Sequence, residues 1–419
     1  MRNGPEGRES GQPWVNRLAA SDNAPFMRHL GATLKGQIDL VYVDPPFATG
    51  SHFSARVRVG ESGREVVVPV YEDRWVGGMA GYLDMLTERF RSMRELLSDR
   101  GSIYVHLDYR AAARVRCLLD DLFGADSLIN EIVWYYKTGG MPERLGFGRK
   151  HDTILYYAKD PARAIWNPQK EKSYLTHRYG FSNIAIHEDE RGPYTWVNCR
   201  DVFDIPALRG NQPERVDFPT QKPEALLERI VLASSHEDSI VADFFCGSGT
   251  ALVVAERLGR RWIGCDASPL AVHTTAKRLQ AMNDVRGYEV IDEPRTDYAV
   301  GVSLQREGAE LRVALTSVEP EGVDPLPESV RHLIEHWSDR VDWWEVEWRP
   351  HRARPRQDGG RGLAQRERDT RFPRWLSQRT RQRRVLELTS APLSLPSGGG
   401  LVVTVADVLG NRCSIYVAL

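Results

Sequence analysis

The sequence predicts an α/β fold followed by a smaller, mainly β unit. Apolar strand patterns alternate with helical ones through most of the first 282 residues, which is typical of a sheet covered by helices. Beyond about residue 292 the helical spacing fades, and short β-like runs over 401–408 and 413–417 flank the turn pair Gly410-Asn411. With 419 residues, the chain has room for two or three units of this kind.

The first elements follow from local pattern. Residues 38–43 form a buried strand, which Pro45 and Pro46 end because proline cannot continue a strand's hydrogen bonding. Residues 61–70 alternate around Gly63 like a hairpin. The same reasoning predicts helices over 82–97 and 110–123, and strands over 102–107 and near 129–136 and 153–157.

The second half resumes the alternation after an interruption. Between about residues 159 and 217 aromatic, charged, Pro and Gly residues mix without a period, which is typical of a surface-reading insertion. Helices are then predicted over 225–234, 250–258 and 269–282, with strands over 239–244 and 261–265 and an aromatic strand over 341–348. The expected organisation is a flexible leader 1–15, halves 16–158 and 218–291 of one α/β domain around the insertion 159–217, and a β unit 292–419 with an Arg-rich loop.

Composition limits the possible environment and partners. Lys and Arg number 56 and Asp and Glu 57, so the formal net charge of -1 neither supports nor excludes a nucleic-acid partner. The five cysteines are scattered without a C-x-x-C pair, which argues for a reducing cytosol and against disulfides or a structural metal site. No signal peptide or membrane span is expected, so the predicted location is cytoplasmic.

A Gly-rich turn joins the strand ending at Asp243 to a helix that starts at Thr250. Gly247 and Gly249 allow the backbone to approach a ligand, and Asp266, nineteen residues after Gly247, ends the next strand, where an acid can bind ribose hydroxyls. The pattern predicts a nucleoside site, although a simple turn remains possible. No Lys follows the last Gly as in a P-loop, and G-x-G-x-x-G is incomplete. Within the turn, Cys246 is interpreted as a small buried residue and not as a nucleophile.

The tetrapeptide Asp44-Pro45-Pro46-Phe47 suggests catalysis on an exocyclic amine. Such an amine is a poor nucleophile because its lone pair is delocalised, so a catalyst needs acceptors for its hydrogens. The Asp44 carboxylate and the Pro45 carbonyl can supply them, and Phe47 can stack on a base turned out of a duplex. Transfer to nitrogen needs no covalent enzyme intermediate, so positioning carries most of the rate enhancement. The alternative is a Pro-Pro turn with Phe47 in the core.

Taken together, these motifs resemble the amino-methyltransferases of bacterial DNA, in the β arrangement where D-P-P-Y/F precedes F-x-G-x-G. Residues 44–50 are similar to motif IV and residues 261–266 to motif II, while 101–108 and 151–157 are similar to core strands. Phe218-Pro219-Thr220-Gln221-Lys222-Pro223 is similar to motif X, the loop over the methionine end of the cofactor. The resemblance runs in order from about residue 16 to 279.

The resemblance implies a mixed seven-stranded sheet and S-adenosylmethionine as cofactor. It places Asp44, Pro45, Pro46 and Phe47 at the base, and it implies the following residues around the cofactor: Asp243, Phe245, Gly247, Gly249, Thr250, Asp266, Thr220, Lys222 and Pro223. Phe47 stands where the family more often has Tyr, and Ser21-Asp22-Asn23 is a weakened form of its G-D-N. Family members often dimerise, and a restriction-system partner is a further expectation.

The insertion 159–217 would then read double-stranded DNA. The candidate contacts to phosphates or base edges are Lys170, Lys172, Arg178, Arg191, Arg200 and Arg209. Between Arg349 and Arg384 thirteen Arg stand against three acids, which fits either a phosphate-binding stretch or a solvated loop. The cluster Trp343, Trp344 and Trp348 is predicted to be core of a β-sandwich.

The predicted activity is transfer to N6 of adenine, because Asp at the first motif position is the adenine-type residue in this family. Transfer to N4 of cytosine is the alternative, since the same acceptors serve any exocyclic amine. RNA or a glutamine side chain as substrate, or a catalytically silent DNA-binding scaffold of the same fold, are further alternatives.

Overall fold

One mixed sheet forms the body of the molecule, and a β-sandwich follows it. The computed structural model describes residues 14–137, 145–174, 185–282, 285–291, 296–350, 374–396 and 398–419. Within these residues the large sheet has nine strands: β1 (Asn16–Ala20), β2 (Ile38–Val43), β5 (Leu97–Leu107), β6 (Leu128–Tyr135), β7 (His151–Ala158), β11 (Val202–Asp204), β12 (Ile240–Asp243), β13 (Arg261–Asp266) and β14 (Tyr288–Ile291).

The sheet order is β11-β6-β7-β5-β2-β12-β13-β1-β14. β7 runs antiparallel to β5 and β6, whereas the other pairs are parallel. The seven strands from β6 to β1 correspond to the expected mixed sheet. In this chain β11 from the insertion and β14 add one edge strand each to these seven.

Helices cover both faces of this sheet. They are α1 (Asn23–Leu34), α2 (Met79–Leu96), α3 (Ala112–Phe123), α4 (Glu224–Ser234), α5 (Thr250–Arg257) and α6 (Pro269–Gln280). In β2, Val41 and Val43 pack with α1, α2 and α3, while Leu40 and Tyr42 face α4, α5 and α6. Alternate residues of a strand point to opposite faces of the sheet. Because helices cover both faces of this sheet, β2 is apolar on both of its sides. None of the described helices is long and apolar enough to span a membrane.

A hairpin leaves the body between β2 and α2. Its strands are β3 (His52–Val59) and β4 (Arg64–Glu72). The turn near Gly63 was predicted correctly, but the predicted range 61–70 did not include the first strand. Val57, Val59 and Val66 pack against Val330 and Val408 of the C-terminal part. The hairpin therefore links the body to the C-terminal residues 296–419.

The insertion forms a small antiparallel sheet of its own. Its strands are β8 (Lys170–Tyr174), β9 (His187–Asp189) and β10 (Gly192–Asn198), with β10 in the centre. Arg178 lies outside the described residues. Because β11 then joins the edge of the large sheet, the insertion is fixed to the body at its far end.

The C-terminal part is a two-layer β-sandwich. One sheet contains β15 (Tyr298–Glu307), β16 (Glu310–Pro320) and β19 (Leu393–Ser394); the other contains β17 (Val341–Pro350), β18 (Arg374–Gln378), β20 (Gly399–Asp407) and β21 (Arg412–Ala418). A short helix, α7 (Glu328–Arg331), precedes β17. As predicted, Trp343, Trp344 and Trp348 are buried, and the last two belong to the shared core of the sandwich.

Candidate active site

The two motifs meet at the carboxyl ends of neighbouring parallel strands. β2 leads into Asp44 and β12 leads into the Gly-rich turn, and the two strands pair through Leu40 with Val241 and Val41 with Ala242. Open α/β sheets bind ligands at this edge. A cavity of about 380 Å³ opens there, a volume in the usual range for small-molecule sites.

Most of the predicted site residues line this cavity. Those on its wall are Asp44, Pro45, Pro46, Phe47, Thr220, Lys222, Asp243, Phe245, Gly247, Thr250 and Asp266. Gly249 and Pro223 are not on the wall. Gly249 packs under the turn, where an added Cβ would lie 2.4 Å from the Thr275 side chain, and Pro223 is the N-cap of α4.

The two oxygens of Asp44 have different surroundings. Oδ2 pairs with Lys222 Nζ, while Oδ1 is buried and has no hydrogen-bond partner among the described residues. A buried acceptor without a donor costs free energy, on the order of 1–3 kcal/mol, unless a ligand supplies the donor. The pair with Lys222 was not predicted, because motif X is expected to contact the cofactor and lies 178 residues from Asp44.

Phe47 lies over a buried polar network. Its ring stacks on His106 with centroids 6.0 Å apart and planes at 26°. His106 is fully buried between the Tyr42 hydroxyl, 3.0 Å from Nδ1, and Asp152 Oδ2, 3.2 Å from Nε2. Burial raises the pKa of Asp152, but its hydrogen bond with His106 and the charge of that ring outweigh burial and lower it overall. This support under Phe47 was not predicted, although Tyr42 and His106 lie in strands that the sequence predicted.

Asp73 holds the loop that follows Phe47. Its carboxylate accepts hydrogen bonds from the N–H groups of Ala48 at 3.0 Å and Thr49 at 2.8 Å, the Thr49 hydroxyl at 2.7 Å and the Trp75 indole at 3.1 Å. Asp73 is 1% exposed, and Ala48 has φ +55°, a conformation that a residue with a Cβ adopts only when it is held there. No motif identifies Asp73, so local sequence pattern could not find it.

The Gly-rich turn is arranged around Asp266. Gly247 has φ +51° and donates its N–H to Asp266 Oδ2 at 2.8 Å, while Oδ1 accepts from the Ser268 N–H at 2.8 Å. Each oxygen keeps a second lone pair for a ligand hydroxyl. Burial raises the pKa of Asp266, and these two hydrogen bonds oppose that rise. Cys246 is 5% exposed and burial raises the pKa of its thiol well above the usual value, as expected for a packing residue.

The remaining wall includes the Asp22-Asn23 part of the weakened G-D-N motif and residues that the sequence did not single out. Arg89 of α2 donates to Asn23 Oδ1 at 2.7 Å and Asp22 Oδ1 at 2.9 Å, and Asn23 donates to the Phe244 carbonyl at 2.7 Å. This gives the Ser21-Asp22-Asn23 segment a place beside the turn. Phe53 and Tyr71 of the hairpin stack with centroids 4.7 Å apart and close another side.

Four of the five described DNA-reading candidates have partners within the insertion. Lys172 pairs with Asp189 at 2.6 Å, Arg200 with Glu171 at 2.5 Å, and Lys170 donates to Asn198 at 2.6 Å. Arg191 stacks over the Tyr174 ring at 4.4 Å, and the Arg209 residue is exposed beyond β11. All five lie on or next to the small sheet or the loop after it.

Comparison with known proteins gives a consistent set of relatives. Residues 38–277 match the model of the N6/N4 methylase family, described as DNA methylase. The chain is 28% identical over 333 residues to the type II methyltransferase M.EcaI of Enterobacter cloacae, covering 65% of this chain and 71% of that one. It is 27% identical over 257 residues to the DNA adenine methyltransferase YhdJ of Escherichia coli, covering 60% of this chain and 80% of that one. The crystal structure of the M1.HpyAVI-SAM complex aligns with a TM-score of 0.42 at 18% identity, covering 63% of this chain and 98% of that one.

Proposed function

The chain belongs to the DNA methylase family, and from this premise we propose that it transfers the methyl group of S-adenosylmethionine to N6 of adenine in double-stranded DNA. The observation that carries the proposal is the Asp44 carboxylate. Its Oδ1 is buried at the wall of the cavity without a donor among the described residues, beside a Gly-rich turn suited to a nucleoside. Both the missing donor and the neighbouring cofactor site fit an amine substrate.

The residues present fit the cofactor. Gly247 has a positive φ at the cavity wall, where an added Cβ would meet only Phe218 at 3.4 Å, so the backbone is open to a ligand. Asp266 has free lone pairs for ribose hydroxyls. When bound, S-adenosylmethionine supplies an electrophilic methyl group. Phe245, Thr220 and the helix that starts at Thr250 complete the proposed binding residues.

Asp44 would act on the amine of the base. Oδ1 and the Pro45 carbonyl accept its two hydrogens, which favours a tetrahedral nitrogen with a free lone pair. Lys222 fixes Oδ2, so Oδ1 is presented to the base. After transfer the nitrogen must lose a proton, and Oδ1, already its acceptor, can take it. Phe47, supported by His106, would stack on the extruded base.

Several observations support adenine and leave a defined alternative. Asp44 is the adenine-type residue at the first motif position, and the relative YhdJ carries the name of a DNA adenine methyltransferase. The family also includes N4 enzymes, and the same acceptors would serve N4 of cytosine. We further propose that the small sheet of β8, β9 and β10 reads the DNA sequence, because four of the candidate cations, Lys170, Lys172, Arg191 and Arg200, lie on or next to its strands.

The test is to incubate the purified chain with labelled S-adenosylmethionine and unmethylated bacterial genomic DNA, digest the DNA and identify the labelled nucleoside. We expect N6-methyladenine, and none with Asp44→Asn, whose amide lacks one acceptor oxygen. Label in N4-methylcytosine would move the proposal to the cytosine enzymes. Cofactor binding without label in any nucleoside would indicate a silent scaffold.

A further inference from the structure

A second cavity, of about 480 Å³, lies where the body meets the β-sandwich. Its walls come from β3, the segment 213–217, the helices α5 and α6, and residues 378–384 after β18. The matched family region ends at residue 277, so the last of these walls belongs to a part of the chain to which the family assigns nothing.

Positive charge dominates this cavity. Nine cations line it, namely Arg56, Arg58, Arg215, Arg257, Lys277, Arg278, Arg379, Arg381 and Arg384, against four carboxylates, Glu214, Asp217, Glu224 and Asp342. Three of the carboxylates are each shared by two basic groups: Asp217 by Arg58 and Arg381, Glu224 by Arg257 and Arg278, and Asp342 by His273 and Lys277. Outside the lining, Glu65 pairs with Arg56 and Arg58, and Glu228 lies within ion-pair distance of Arg257. Among the described residues, the cavity cations that remain without a carboxylate partner are Arg215, Arg379 and Arg384.

The excess is concentrated on Arg215 and Arg384. Among the residues that the structure describes, neither guanidinium has a carboxylate within ion-pair distance or donates a hydrogen bond. Both are half-buried. Burial first, and then the charge of Arg58, lower the pKa of Arg384, while the charges of Asp217 and Asp342 oppose that fall. A bound anion would offset the repulsion between Arg384 and Arg58.

Other arginines of the same wall have structural partners. Arg379 is buried and donates to the carbonyls of Val341 at 3.0 Å and Ser338 at 3.0 Å. Arg381 donates to the carbonyls of Arg215 at 3.2 Å and Gly210 at 2.9 Å. The contacts of Arg379 lie within the C-terminal part, whereas those of Arg381 fix it against the loop at the end of the insertion. The Arg-rich stretch was predicted to be either phosphate-binding or solvated. In its described part, Arg379 and Arg381 have structural partners, whereas Arg384 remains free to bind a phosphate.

The position of the cavity fits a DNA strand that enters the active site. Phe53 of β3 lines the first cavity, and Arg56 to Arg58 of the same strand line the second. At roughly 3.3 Å per residue, Arg56 and Arg58 are about 10–17 Å along β3 from Phe53, and Arg384 lies beyond them, beside Gly63 in the turn that follows β3. Because phosphates of one strand follow at about 3.4 Å along the helix axis, this separation corresponds to roughly three to five base pairs.

We propose that Arg215 and Arg384 bind backbone phosphates of the DNA substrate a few base pairs from the extruded base, so that the β-sandwich forms part of the DNA-binding surface. The proposal rests on the proposed function for the identity of the partner. It requires no contact with base edges, so the contribution is the same for any DNA sequence.

The salt dependence of DNA binding tests it. Binding of the full chain to a fluorescein-labelled duplex of about 30 base pairs and arbitrary sequence is measured by fluorescence anisotropy between about 50 and 200 mM KCl. Arg215→Gln and Arg384→Gln should each reduce the slope of log Kobs against log[KCl] by roughly 0.9, and the double variant by roughly twice that. Arg306→Gln, an exposed residue of β15 outside the cavity, is the matched control.

The outcomes separate the two proposals. Slopes of the double variant equal to those of the parent chain would overturn the phosphate contacts, provided that the unfolding temperature and the S-adenosylmethionine affinity are unchanged. If the parent chain methylates no nucleoside, the proposed function fails, while the slopes still report whether these arginines bind the DNA backbone. If methylation occurs, Arg384→Gln should raise KM for DNA with kcat unchanged.

Discussion

Replacing Asp73 with Asn tests whether the loop after Phe47 must be held for catalysis. The carboxylate accepts four hydrogen bonds, from the Ala48 and Thr49 N–H groups, the Thr49 hydroxyl and the Trp75 indole. An amide retains one acceptor oxygen. In place of the second carboxylate oxygen it has an NH₂ group, which faces the two donors that this oxygen had accepted. Asp73→Asn therefore removes two of the four bonds without changing the shape of the side chain.

The size of the effect follows from these bonds. A hydrogen bond to a charged group contributes roughly 1.5–3 kcal/mol, so losing two would cost about 3–6 kcal/mol if nothing replaced them. Ala48 and Thr49 are half-exposed, so water can recover about half of that. The strain at Ala48, on the order of 1 kcal/mol, then acts to release the loop. Together these contributions amount to about 2.5–4 kcal/mol, so the productive loop should become roughly 70- to 900-fold less populated, and kcat should fall by the same factor.

The assay is steady-state methyl transfer with calorimetric measurement of cofactor binding. We expect cofactor affinity to stay within about threefold, because the Gly-rich turn is held by Asp266 and not by Asp73. Asp84→Asn, on the exposed side of α2, is the matched control. A kcat for Asp73→Asn within about twofold of the parent chain would refute the reasoning.

Three further results are expected. Lys222→Met should lower kcat by about 100-fold or more, because it leaves the largely buried Asp44 carboxylate without its cation. Lys222→Gln retains a hydrogen-bond donor and should recover part of the rate. Equal rates in the two variants would contradict this explanation. Gly247→Val should weaken cofactor binding at least about 100-fold by titration calorimetry, because its side chain would enter the cavity from a φ of +51°; unchanged affinity would place the cofactor elsewhere. Asp342 is buried, but the charge of Lys277 and the hydrogen bond from His273 outweigh burial and lower its pKa to about 2. Against an unfolded value of about 3.9, this contributes roughly 2–3 kcal/mol, fully present above about pH 4 and lost as the pH falls through 2. Urea unfolding across this range should show the loss, and Asp342→Asn should abolish it.

The body of the fold was predictable because its signals are local. The strand 38–43 and the helices at 225–234 and 250–258 have apolar periods that read directly as elements, and the structure places them within a residue or two. The hairpin of β15 and β16 was missed because most of β15 is exposed, so its sequence carries little apolar alternation. The edge strand β11 has only three residues, too few for any pattern.

The site was predictable to the extent that motifs encode it. Asp44 and the Gly-rich turn were expected to meet, and they line one cavity. The pair of Asp44 with Lys222, the bonds of Asp73 and the position of His106 are contacts between elements far apart in sequence. Nothing in the local composition of those segments specifies them, so only the assembled sheet reveals them.

The placement of the first strand has a consequence for how the chain is made. β1 lies between β13 and β14, and its Arg17 bonds Glu289, 272 residues later. At a synthesis rate of about 5–20 residues per second, β1 leaves the ribosome roughly 15–55 s before its partners exist. Leu18 and Ala19, fully buried in the finished sheet, lack both neighbouring strands, β13 and β14, during most of that time. Substitutions in β1 should therefore reduce the yield of folded protein during synthesis more than they reduce the activity of the molecules that do fold.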